Sequence, residues 1–327
     1  MAADARTTRA VRNTAFAAPI TAPSAKVGAL VGGKYRVVGE LGTGAMGVVL
    51  RGRDEQLERD VAIKLIRPEQ AQRPSFQQDF LAEARTMAKI GHPNVVRVFD
   101  FGWEEATPYF VMELVDGVDL ESYHADHDYH LGTAAAVELA VKICHGVEAI
   151  HQSGAAHRDL KPNNILIAGD GRVLVSDLGL TETRPDEGDI GVVGTPGFVA
   201  PEVILHGPTT GDLAARGDVY ALGALAYELL SGQPAFGGDD ATAVLSAQLG
   251  SDFIPLHQRD PSLGRGFNSV IDQALAFDPR DRLPSAAELL QRLEHALALR
   301  QDPTSGRRIV VADDDLGVRR WLQRVLA

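Results

Sequence analysis

A glycine-rich turn that runs on into a strand, and not into a helix, narrows the folds open to this chain more than any other stretch. Gly42-Thr43-Gly44-Ala45-Met46-Gly47 follows a β-branched run at residues 35–41 and continues as Val48-Val49-Leu50. Glycines let a backbone fold tightly and bring its N–H groups against phosphate oxygens. A dinucleotide-binding turn of the same spacing leads into a helix and needs an acidic residue about 20 positions on. Here the chain stays extended, and Lys64 stands 17 residues after Gly47 in Val61-Ala62-Ile63-Lys64. The pattern is a strand–glycine loop–strand hairpin followed by a strand lysine.

The surrounding periodicity extends that hairpin into a sheet. Short runs at residues 35–41, 48–53, 61–66, 95–99 and 109–114 read as five strands of a mainly antiparallel sheet. One helix interrupts them at residues 75–90, where Phe76, Phe80, Ala84, Met87 and Ala88 recur at helical spacing. Beyond Leu120 the pattern turns helical, with helices expected at 133–152, 218–230, 241–249, 268–276 and 285–300. A small β lobe followed by a larger helical lobe predicts an α+β two-lobe architecture with a cleft between the lobes. The 327 residues, 45% of them hydrophobic, suffice for the large core this needs.

Charge and cysteine content exclude some functions. The formal charge of −12 argues against nucleic acid as the main partner, because phosphate backbones need a basic face. The single cysteine, Cys144, allows no internal disulfide and suggests a reducing, cytoplasmic setting. Cys144 falls on the apolar stripe of the 133–152 helix, where it reads as a small buried hydrophobe. No run of about 18 apolar residues marks a membrane span. Residues 1–30 have too few large apolar groups to pack and read as a disordered tail.

The densest chemistry lies in His157-Arg158-Asp159-Leu160-Lys161-Pro162-Asn163-Asn164, a charged loop with core-like flanks. Val173-Leu174-Val175 then leads to Asp177-Leu178-Gly179, 13 residues past Asn164. With the glycine loop and Lys64, these motifs resemble the eukaryotic-like serine/threonine protein kinases of bacteria. The resemblance covers residues 33–297 and implies the two-lobe protein kinase fold. It implies a small lobe at 31–113, a hinge at 113–116 and a large lobe at 117–300.

The resemblance also implies roles, residue by residue. Lys64 would meet the α/β-phosphates of ATP and be held by Glu83. Asp159 would orient the substrate hydroxyl, and Lys161 would offset charge on the transferring phosphoryl group. Asn164 and Asp177 would bind magnesium, with manganese as an alternative ion. Asp100-Phe101-Gly102 matches the magnesium tripeptide literally but precedes the catalytic loop, and reads as a β-turn decoy. Gly42, Gly44 and Gly47 would cover the phosphates. Leu41, Val49, Ala62 and Leu166 would sandwich adenine, with Met112 at the back of the pocket. Glu113 to Val115 would bond the ring, and Asp119 would hold the ribose.

The segment from Asp177 to Glu202 resembles an activation segment. Thr195 would bond the catalytic Asp and Lys, and Thr181 or Thr183 would carry an activating phosphate paired with Arg158. Glu202 and Arg282 would form a structural ion pair, and Asp218, opening its helix, would brace the catalytic loop. The implied partners are ATP and proteins bearing Ser or Thr, with a homodimer allowed for trans-autophosphorylation in bacterial signalling.

Three stretches stand outside this reading. His124, His127 and His130 share a spacing that invites a metal, but a solvated loop or helix face is preferred. Trp103, Glu104 and Glu105 read as a turn. After a linker at 301–306, residues 307–327 resemble the first strand and helix of a receiver domain, with Asp313 and Asp314 as its acidic pair. That reading makes the chain a shortened piece of a kinase–receiver fusion.

Overall fold

The computed structural model describes residues 26–44, 47–68, 76–178 and 194–301. The readings at Ala45, Met46, Gly179, Thr181, Thr183 and residues 302–327 lie outside the described residues.

Six strands form one antiparallel sheet in the order β1-β2-β3-β4-β6-β5. They are β1 (Leu30–Val31), β2 (Tyr35–Thr43), β3 (Gly47–Asp54), β4 (Arg59–Ile66), β5 (Val98–Glu104) and β6 (Thr107–Glu113). Pairing reaches back past β1, since Gly28 N donates to Val37 O at 2.9 Å. The period of two on β4 sorts its side chains. Val61, Ile63 and Leu65 join Val37, Leu50 and Val111 in one apolar cluster. Ala62, Lys64 and Ile66 therefore take the opposite face, where Ile66 packs with Phe80, Ala84 and Met87 of α1 (Phe76–Met87).

The fourth expected strand is displaced. Residues 95–99 form no single strand: Val95 makes an isolated bridge to Val175, and β5 begins at Val98. Val96 N donates to Val175 O and Val175 N to Asn94 O, both at 2.9 Å, so this apolar run is shared between the two lobes. Asp100-Phe101-Gly102 and Trp103 consequently lie within β5, paired with Val111 to Pro108 of β6, and not in a turn. The turn is at Glu105-Ala106, where Glu105 has φ of 52°. Asp100 Oδ2 accepts from Tyr35 Oη at 2.7 Å, which ties β2 to β5 and gives this carboxylate a structural role.

The second lobe is helical around a small sheet of β7 (Gly117–Asp119), β8 (Ile165–Ala168) and β9 (Val173–Val175). Its helices are α2 (Leu120–Asp126), α3 (Thr133–Gln152), α4 (Pro201–His206), α5 (Gly211–Ser231), α6 (Ala241–Leu249), α7 (Leu256–Arg259), α8 (Gly264–Ala274) and α9 (Ala286–Gln301). α5 is buried almost all round from Asp218 to Leu230 and forms the axis of the lobe. It begins seven residues earlier than the periodicity suggested, because its opening Gly-Asp-Leu-Ala-Ala-Arg-Gly turns carry no apolar stripe. Cys144 is buried on α3, and burial pushes its thiol up to about 12.

The histidine run is corrected in one respect. His124 is not solvated; it is 2% exposed, four residues after buried Leu120 on the inner side of α2. Its Nδ1 lies 3.9 Å from Oε1 of buried Glu228, and its ring meets Tyr129 edge-on. His127 is turned to Tyr123 O instead. Among the described residues no group of three His, Cys, Asp or Glu side chains is placed to hold a metal ion by itself.

Candidate active site

The loop from α3 to β8 carries the charged octapeptide, and a buried carboxylate shapes it. Asp218, 1% exposed and in the middle of α5 rather than at its start, accepts from His157 N at 2.6 Å and Arg158 N at 2.7 Å. His151 Nε2 lies 2.8 Å from the same carboxylate. Arg158 has φ of 67°, a left-handed geometry that costs energy unless its surroundings enforce it. Two backbone donors on one buried carboxylate supply that enforcement.

Three side chains of this turn meet Thr195 at one point. Asp159 Oδ2 accepts from Lys161 Nζ at 2.6 Å and from Asn164 Nδ2 at 3.0 Å. Its Oδ1 accepts from Thr195 Oγ1 at 2.9 Å, and Lys161 Nζ also reaches Thr195 Oγ1 at 3.2 Å. Asn164 Nδ2 donates to Asp159 O at 2.7 Å as well. The Asn164 amide nitrogen is thereby committed to Asp159, and its Oδ1 is the atom left to accept from or coordinate another group.

The second acidic group is anchored to the same loop. His157 Nε2 lies 2.8 Å from Ser176 O, and Ser176 N donates to Asn164 O at 2.8 Å. Asp177 follows in a left-handed conformation, φ 54°, and its Oδ1 lies 2.8 Å from Lys64 Nζ. Burial pushes the Asp177 carboxyl up, but the charge and hydrogen bond of Lys64, together with His157 and Lys161, hold the group below the usual carboxylate range. Asp177 is therefore ionised at neutral pH. Leu178 is buried behind it and closes a small cavity shared by Lys64, Met87, Phe110 and Met112. Glu83 lies half-buried on α1.

The remaining residues expected to hold the nucleotide lie on or beside β2, β3, β4, β6 and β8. Ala62 is buried on β4 opposite Met112, and Val49 pairs with Lys64 across β3–β4. Met112, Val115 and Leu166 pack on a cluster of Val96, Ala168 and Leu174. Leu41 is 51% exposed at the cleft rim. Glu113 N donates to Arg97 O at 2.8 Å, which ties the end of β6 to the chain before β5. Asp119 has a role that sequence reading missed: its Oδ1 caps α2 by accepting from Ser122 N at 2.7 Å. The glycines divide their labour. A Cβ at Gly42 or Gly44 would meet open space, whereas one at Gly47 would stand 1.9 Å from Leu65 O. Gly47 is thus demanded by the close β3–β4 approach.

The segment after the undescribed residues is pinned at both ends. At one end Thr195 is held by Asp159 and Lys161. At the other, Arg282 donates to Glu202 through Nη1 at 2.8 Å and Nη2 at 2.6 Å. Between them Gln248 of α6 bonds the backbone of Gly197 and Val199, a contact sequence reasoning did not find. Its one trace in the sequence is a lone amide among the small and apolar residues of α6.

Comparison with protein families matches residues 35–293 to the family described as "Protein kinase domain". The chain belongs to the protein kinase domain family. It is 37% identical over 267 residues to the serine/threonine-protein kinase PknB of Mycobacterium tuberculosis, covering 78% of this chain and 42% of that one. It is 34% identical over 278 residues to a probable serine/threonine-protein kinase of Streptomyces coelicolor, covering 82% of this chain and 40% of that one. The chain thus spans well under half the length of these curated relatives. Among solved structures, the Mycobacterium tuberculosis PknI kinase domain superposes with a TM-score of 0.67 at 26% identity, over 83% of this chain and 98% of that one. The two-lobe architecture is the protein kinase fold. Among the described residues no helix is long and apolar enough to cross a membrane.

Proposed function

We propose that this chain is a serine/threonine protein kinase that moves the γ-phosphoryl group of ATP to hydroxyls of protein substrates. The observation that carries this is the convergence of Asp159, Lys161, Asn164 and Thr195 beside the Lys64–Asp177 pair. Phosphoryl transfer asks little covalent chemistry of a protein and depends on positioning and electrostatics. Asp159 is the acceptor within reach of a substrate hydroxyl proton, and it directs that oxygen at the phosphorus. Lys161 stands next to it to neutralise charge on the moving group. Lys64 holds the nucleotide phosphates, with Glu83 as its helix partner. Ala62, Leu166 and the 113–115 backbone hold the base.

The donor set fits a divalent cation. An ionised carboxylate on Asp177 and an amide oxygen on Asn164 are hard oxygen ligands, to which ATP oxygens and water would add. We assign Mg2+ there, with Mn2+ as the alternative; bound, it would neutralise phosphate charge. The direct experiment uses the full chain, labelled ATP and either cation, followed by phosphoamino-acid analysis. Label on phosphoserine or phosphothreonine, in the chain or an added protein, supports the reading. ATP binding without transfer, or label on phosphotyrosine alone, overturns it.

Two further expectations follow the same reading. Arg158, next to Asp159, together with Thr181 and Thr183 in the activation segment, suggests trans-autophosphorylation between two copies. The double variant Thr181→Ala, Thr183→Ala should lower activity by about tenfold, the scale of a few charge-assisted hydrogen bonds; full activity in it would refute the role. Residues 307–327 we read as a receiver-like segment in a cytoplasmic signalling protein. Removal of residues 302–327 should leave phosphoryl transfer intact, since every side chain assigned above precedes them. A large loss of turnover on removal would count against a separate segment.

A further inference from the structure

We infer that Gln248 is a positioning residue, whose buried amide clamps the turn that aims Thr195 at Asp159. The inference rests on the kinase reading above and adds a residue to it.

The starting observation is an inversion of the usual pattern. Of the nine residues of α6, the fully buried one is its glutamine, at 0% exposure. A buried amide is costly unless both of its ends are bonded. Here both are, and both reach backbone of the same turn. Gln248 Oε1 accepts from Gly197 N at 2.9 Å, and Nε2 donates to Val199 O at 2.8 Å. Tyr220 Oη of α5 stands 3.5 Å from the same nitrogen.

The turn so gripped begins at Thr195. Phe198 N and Val199 N both donate to Thr195 O at 3.0 Å, and Gly197 sits at φ 94°. Thr195 Oγ1 in turn donates to Asp159 Oδ1 at 2.9 Å and receives Lys161 Nζ at 3.2 Å. A continuous path of bonded groups therefore runs from α6 through Gln248 and the turn to the catalytic carboxylate. An apolar side chain at 248 could fill the same space. It would leave the Gly197 donor and the Val199 acceptor without partners. Because Gln248 bonds the turn through its backbone and through none of the turn's side chains, it sets the shape of the turn.

A double-mutant cycle separates this role from simple support of the fold. Gln248→Met keeps length and removes both bonds. It should lower kcat about tenfold with KM for ATP unchanged, since small misplacements of a reacting group cost that much or more. Thr195→Ala should lower kcat on its own. The double variant should be no worse than the larger single loss, because both act on one contact. Amide hydrogen exchange should rise at residues 195–199 in Gln248→Met. Multiplied losses in the double variant, or wild-type exchange at 195–199, would overturn the inference. If Gln248→Met does not fold, Gln248→Glu serves. It keeps the acceptor for Gly197 and sets an oxygen against Val199 O, so the same fall in kcat and rise in exchange are expected. Wild-type values in it overturn the inference. Absence of transfer by the wild-type chain would sink the kinase reading instead, while the exchange measurement still scores the clamp.

Discussion

Asp159→Asn should abolish most turnover while leaving the fold intact. The expected loss is about 10²–10⁴-fold, the usual contribution of a positioned acid–base group. Structure survives because the asparagine amide can be accommodated. Its oxygen can face Lys161 Nζ and Asn164 Nδ2, which donate to Oδ2 at 2.6 and 3.0 Å. Its nitrogen can then face Thr195 Oγ1, a hydroxyl that accepts as readily as it donates. What disappears is the negative charge and the ability to take a proton. Melting temperature should therefore stay near that of wild type, while transfer of labelled phosphate falls. A variant retaining more than about a tenth of wild-type kcat would remove Asp159 from the role of base, since general bases contribute more than that.

The elements legible in the sequence are those whose cause is local. The 133–152 helix was readable to the residue because Val137, Ala140, Cys144 and Val147 form an unbroken stripe. The glycine loop was readable because the chain after Gly47 alternates as a strand. The charged octapeptide was readable because six of its eight residues are polar, and Asp218 binds the backbone of two of them. What escaped has its cause elsewhere in the chain. The apolar run at 95–99 was divided because Asn94 and Val96 bond Val175 of β9, about 80 residues away, and no local pattern encodes that. His124 looked solvated among polar neighbours, yet Leu120 four residues earlier fixes it on the inner face of α2. Asp119 serves as a helix cap, which its position before Leu120 could have disclosed. Gln248 meets its partners 51 and 49 residues away. For Glu202 and Arg282, 80 residues apart, the family pattern alone brought the pair into view.

That pair carries the largest expected effect on stability. Arg282→Met should destabilise the chain by about 3–5 kcal/mol, because it strands a buried carboxylate without its counter-charge. The arginine side chain is fully buried and Glu202 nearly so. The fork also holds the chain itself: Nε donates to Ala276 O at 2.8 Å, Nη1 to Arg216 O at 3.0 Å and Nη2 to Phe277 O at 3.1 Å. A lysine could not reproduce this, since one compact ammonium cannot serve carbonyls on opposite sides and a bidentate carboxylate. Arg282→Lys should therefore also lower the melting temperature, by less than Arg282→Met. Adding Glu202→Gln to Arg282→Met removes the stranded charge and should restore part of the loss, leaving the three carbonyls as the residual cost. The readout is urea or thermal unfolding of the four proteins, followed by kcat at a temperature where each is folded. Activity should fall further than the folded fraction does, because Glu202 ends the segment whose other end presents Thr195 to Asp159. An Arg282→Met protein that melts within about 2 °C of wild type, roughly 1 kcal/mol on this size of domain, would show that the pair is replaceable and that α5 and α8 hold the segment without it.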